Sequence, residues 1–144
     1  MADARRQLRA EEGGVVKAIF DMCVLTASEE LRVGLITHHT DLVRENLPPK
    51  ASGLIELHHS ALPEARLTGF HGHRELARIA RIVESYDVVH LHSMWITSNP
   101  QLARICRRLG KPYIVSVHGM LDDWCMAQRG LKKRIFLRLV GRRL

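Results

Sequence analysis

The chain has 144 residues and 16.4 kDa, enough for one domain. With 46% hydrophobic and 26% charged residues it has the composition of a globular domain, which excludes collagen-like, low-complexity and disordered classes. The formal net charge is +7, and its distribution matters more than its size. Seven of the 22 Lys and Arg lie in residues 129–144 (Arg129, Lys132, Lys133, Arg134, Arg138, Arg142, Arg143) with no acid among them. The remaining fifteen are balanced by all 15 Asp and Glu, so a neutral body carries a cationic tail. That pattern argues against a nucleic-acid binder. No run approaches the ~18 apolar residues of a membrane-spanning helix. The opening MADARRQLRAEE has no apolar stretch of the kind a secretory signal needs. Cys23, Cys106 and Cys125 are too few and too scattered for a disulfide framework and read as reduced thiols of a cytosolic protein.

In chain order, Val15, Ile19, Met22 and Cys23 share one helical face after the pair Gly13-Gly14. Strands are expected at Arg32–Thr37 and Leu54–His58, with a loop over Thr40–Ser52 between them. A second loop is expected over Ala61–Gly72. Leu76, Ile79, Ala80 and Val83 then define a helix with Arg74, Arg78 and Arg81 outside. The run Asp87–Leu91 reads as a strand. Leu102, Ile105, Cys106 and Leu109 form the next helix, with Ser98 or Asn99 as cap, Pro100 in its first turn, and Gly110 and Pro112 as a stop. Tyr113–Val117 is the last strand. Both late strands are nearly continuous apolar runs, as expected of parallel strands covered on two faces. A final helix spans about Leu131 to Val140, mostly buried, with Arg134, Arg138 and Arg142 as one basic edge. Alternating helices and strands predict an α/β fold, a Rossmann-like doubly wound and mostly parallel sheet.

Ligands of such sheets bind beyond the carboxyl ends of the strands. There stand His38-His39, then His92-Ser93-Met94-Trp95, then His118-Gly119-Met120. His90 and His92 fall on one face of a strand, but no acidic or cysteine ligands stand at metal-binding spacing, so no metal site is expected. The doublets His38-His39 and His58-His59 point to opposite faces and make poor chelates.

The segments DVVHLHSMW (87–95), GKPYIVSVHGMLDDW (110–124) and LKKRIFLRL (131–139), with the earlier GGVVKAIFDM (13–22), resemble the N-terminal, acceptor-side domain of GT-B type glycosyltransferases of family four. All four pieces stand in order and at family spacing across most of residues 13–144. The resemblance implies a retaining, metal-independent transfer of sugar from a nucleotide-sugar to a saccharide or lipid-linked acceptor, in a setting such as polysaccharide biosynthesis. No cofactor is implied beyond the nucleotide-sugar as co-substrate.

It also implies site residues. His118 becomes the catalytic candidate, beside the transferred sugar. Gly13 and Gly14 become the donor-phosphate turn, because such a pair lets a phosphate approach the amides of a helix N-terminus; the plain alternative is a tight turn. His92, Ser93, Trp95, Gly119, Asp122 and Trp124 become the acceptor side. For Trp95 the alternative is packing under the loop, and for Asp122 a cap on a helix starting near Asp123.

Two departures from the family pattern shape the expected domain organisation. Residues 1–12 are polar where the family has a buried central strand, so the sheet is expected to lack a middle member and to leave edges unpaired. Residues 13–144 then form a partial Rossmann-like domain, without the second, nucleotide-sugar-binding domain that follows in the family. Weak or no catalysis is expected of the chain alone. The alternative function is a non-catalytic remnant or split-enzyme subunit that binds a partner or an anionic membrane through its basic C-terminal helix. Either reading leads to the expectation of a cytoplasmic protein, free or peripheral at the inner face of the plasma membrane.

Overall fold

The computed structural model describes residues 13–28, 30–61, 70–93, 95–128, 130–139 and 141. The polar segment 1–12, most of the loop expected at 61–72, Met94 and Arg142 lie outside the described residues. The element order is α1 (Gly13–Thr26), β1 (Val33–Thr37), α2 (Thr40–Asn46), β2 (Ile55–His59), α3 (His73–Glu84), β3 (Val89–His92), α4 (Asn99–Arg108), β4 (Tyr113–Ser116), α5 (Asp123–Ala127) and α6 (Gly130–Leu139). The fold is α/β, with four short strands in two small sheets, β1 parallel to β2 and β3 parallel to β4. This is an incomplete Rossmann-like arrangement. The chain forms two compact units that divide after Ala61.

In the first unit, Cys23 of α1 is buried with Ala51 and Ile55, and Ile19, Val24, Val33, Leu35, Leu47 and Leu57 pack around them. α2 lies within the expected loop Thr40–Ser52. Its seven residues hold two adjacent aliphatics, Leu42 and Val43, too short a stretch to display helical periodicity. It ends where Leu47 turns extended at φ −64°, ψ 131°, as the residue before a proline must.

In the second unit, the faces expected of α3 and α4 are the buried ones. Ile79, Ala103 and Cys106 have no exposed surface and Val83 has 2%. α4 carries proline in its first turn. It closes in a Schellman motif: the Lys111 amide donates to the Cys106 carbonyl at 2.9 Å and the Gly110 amide to the Arg107 carbonyl at 3.3 Å. Gly110 has φ +64°, and Pro112 follows.

A Cβ at Gly110 would meet nothing within 4 Å, so substitution there tests backbone conformation alone. Gly110→Ala is expected to cost about 1–2 kcal/mol in urea unfolding. Gly14, helical and equally open, gives the opposite sign: Gly14→Ala stabilises by up to about 1 kcal/mol. Equal effects at the two glycines would contradict both assignments.

Candidate functional site

The register of the second sheet sets the site. His90 stands opposite Ile114 and His92 opposite Ser116, so these four share one face. Leu91, on the other face, is 3% exposed, whereas Ile114 is 56% exposed and His90 is exposed. The expectation of cover on both faces is therefore corrected. A two-stranded sheet buries one face, and the imidazoles stand on the open one.

The chain leaves both strands through left-handed backbone. Ser93, just past β3, has φ 72°, and past β4 His118 has φ 49° and Gly119 φ 71°. The Met120 amide donates to the Val117 carbonyl at 3.0 Å, so Val117–Met120 is a turn with two positive-φ central residues, the signature of type I′. Glycine takes such a conformation freely, but histidine and serine do not. Two strained residues at adjacent strand tips fit the tendency of such strain to cluster at functional sites.

The turn past β4 brings His118 against His92, the last residue of β3. His92 Nδ1 lies 3.1 Å from His118 Nε2, and the two rings meet edge to edge, 24° from coplanar, with centroids 5.3 Å apart. The His90 ring lies 4.1 Å from that of His92, and His90 Nε2 is 2.7 Å from Ser116 Oγ. Burial, then the neighbouring His90 and His118, push the His92 pKa down to about 4. Burial and His118 also lower that of His90. At neutral pH the His92–His118 contact is thus a hydrogen bond with a neutral His92, sharing one N–H between two nitrogens. His118 itself is exposed. Among the described residues, no three His, Cys, Asp or Glu are arranged to hold a metal ion.

Asn99 holds the first tip in place. Its side-chain amide donates to the carbonyls of His92 at 2.9 Å and Ser93 at 2.8 Å, and the residue is 5% exposed. Sequence reasoning offered Ser98 or Asn99 as a helix cap. Ser98 occupies the cap position without a side-chain bond, and Asn99 serves the strand end instead. A polar amide just before an apolar helix was the available signal, but its partner lies six or seven residues upstream and cannot be read from a capping pattern. Across the two tips, Ser93 Oγ donates to Met120 Sδ at 3.3 Å and the Ser93 amide to the Ser116 carbonyl at 3.0 Å.

The other sequence-predicted residues lie around or apart from this cluster. Asp122 caps α5, accepting from the Cys125 amide at 2.6 Å. Trp95 is half-buried against α6, with Phe136 edge-on at 5.5 Å and Lys133 Nζ 5.3 Å from its ring centre. Its indole nitrogen is buried without a hydrogen-bond partner among the described residues. Trp124 is 74% exposed. Gly13 and Gly14 belong to the first unit, where they form the first turn of α1 rather than a turn before it. Gly14 lacks the positive φ that demands glycine and is open on its Cβ side.

A family model described as a glycosyl transferase 4-like domain matches residues 13–144. The chain belongs to that family. No curated protein and no solved structure matches it. The match spans α1 to the end of the chain, so the glycosyl transferase 4-like region contains both units and the whole histidine cluster.

Two predictions follow from the tip geometry. Below the ordinary histidine range of about pH 6.5, an unfolded chain protonates His92 while the folded chain resists until about pH 4. The unfolded state then binds more protons, so stability falls as pH drops through that window and is unaffected by His92 above it. In His92→Gln, the urea midpoint should fall less steeply with decreasing pH; an unchanged slope would contradict the depressed pKa. Asn99→Ala strips two half-buried carbonyls of this donor and should cost about 1–3 kcal/mol in the same assay.

Proposed function

We propose that the β3–β4 tip is the sugar-contacting part of the acceptor side of a retaining glycosyltransferase, with His118 beside the transferred sugar. The observation that carries this reading is the His92–His118 hydrogen bond on left-handed strand ends, in a chain of glycosyl transferase 4-like family. A neutral His92 bonded to His118 leaves one imidazole nitrogen of His118 at the exposed end of the pair. That suits the hydroxyls of a saccharide better than a phosphate. Whichever ring holds the shared proton, the bond selects the tautomer of His118 and aims its remaining nitrogen outward.

In this reading His92 and Ser93 orient the tip, Gly119 lets the sugar approach the backbone, and Trp95, Asp122 and Trp124 flank it. Asp122 contributes by fixing the start of α5, since one of its oxygens is committed to the cap. The donor is a nucleotide-sugar, its diphosphate held by a second α/β domain of the kind the family carries. Bond cleavage generates an oxocarbenium-like sugar, and stabilising the departing diphosphate is the main electrostatic task.

The test has two parts. Titrating the isotope-labelled chain with neutral saccharides should move the amide signals of His92, Ser93, His118 and Gly119 ahead of all others. Joined to a nucleotide-sugar-binding domain of the family, the chain should transfer sugar from a nucleotide-sugar panel, and His118→Ala should lower the rate by about 100-fold or more. Wild-type rates in that variant would refute the role of His118.

A further inference from the structure

The C-terminal helix departs from the mostly buried element the sequence suggested. α6 has 10 residues and none is buried. Its inner side is tethered: Lys133 donates to the Cys125 carbonyl of α5, and Phe136 meets Trp95. The outer side holds Leu131, Ile135 and Leu139, which are 75%, 49% and 64% exposed. At a spacing of four they form one continuous stripe along the helix. Arg134 and Arg138 run along one border and Lys132 stands on the other, all exposed. No Asp or Glu occurs in residues 129–144.

We propose that this face docks in the plane of an anionic lipid bilayer. An aliphatic stripe between two cationic borders matches the layering of a membrane interface. The leucines and isoleucine enter the acyl boundary while the guanidinium and ammonium groups remain among anionic headgroups. Charge decides between this occupant and others. A second copy meeting the face across a two-fold axis would bring its own arginines against Arg134 and Arg138. A soluble polyanion would engage the cations and leave the aliphatic stripe in water. At 10 residues, α6 is too short to span a bilayer and lies along its surface. The inference does not depend on the glycosyltransferase reading, since it rests on exposure and charge alone.

The experiment is co-sedimentation of the full chain with vesicles of equal parts phosphatidylcholine and phosphatidylglycerol, against phosphatidylcholine alone. The chain should pellet with the anionic vesicles, stay in solution with the neutral ones, and be released by ~1 M salt, where the Debye length is about 3 Å. Arg134→Gln with Arg138→Gln should weaken partitioning roughly thirtyfold. Leu131→Ser, Ile135→Ser and Leu139→Ser together should abolish it even at low salt. All five positions are exposed, so the variants should keep the wild-type circular dichroism spectrum, which is recorded alongside. Absence of binding to anionic vesicles, or wild-type binding by the serine variant, would overturn the proposal. So would a dimer in sedimentation velocity that the serine substitutions dissolve, since it would assign the stripe to self-association.

Discussion

The hydrogen bond between His92 and His118 depends on backbone that histidine does not favour. Two parallel strands deliver their ends side by side, with His92 the last residue of β3, but a regular exit from β4 would send the His118 imidazole elsewhere. Left-handed φ at His118, with Gly119 beside it, turns the chain so that the His118 ring reaches His92, while left-handed φ at Ser93 redirects the chain beyond it. Such conformations persist only where their surroundings over-determine them. Here Asn99 supplies much of that constraint, binding the two carbonyls that flank the first bend. Packing, backbone strain and imidazole chemistry therefore act at one point of the molecule.

The consequence for function is one of charge and access. Histidines this close repel a second proton, and burial of His92 adds to the effect, so His92 stays neutral where free histidine begins to titrate. The pair remains reachable because one face of the two-stranded sheet is open. A fuller sheet with helices on both sides would have buried His90 and Ile114. The incompleteness of the sheet and the exposure of the cluster thus have one cause.

Much of this was legible in the sequence, for identifiable reasons. α3 and α4 repeat apolar residues at helical spacing and carry strong punctuation at Pro100 and Gly110, so their faces and ends follow from local chemistry. The late strands are short apolar runs, and their tips place His92 and His118 where ligands of parallel sheets bind. The rest depended on tertiary facts. α2 is too brief to show a period. The role of Asn99 needs knowledge of which carbonyls lie above it. Asp122 fitted both a ligand contact and a cap, and the cap shows only in its bond to the Cys125 amide. The exposure of Leu131, Ile135 and Leu139 was hidden because a helix apolar on most sides reads as buried until its neighbours are known. Gly13-Gly14 looked like a turn because a glycine pair weakens any helix, yet the helix begins there.

The most direct measurement is the scalar coupling between nitrogens across a hydrogen bond, recorded on histidine-labelled protein at neutral pH. The account requires a resolved coupling between His92 Nδ1 and His118 Nε2, with one tautomer of each ring dominant. Two uncoupled imidazoles, each averaging freely between tautomers, would contradict it.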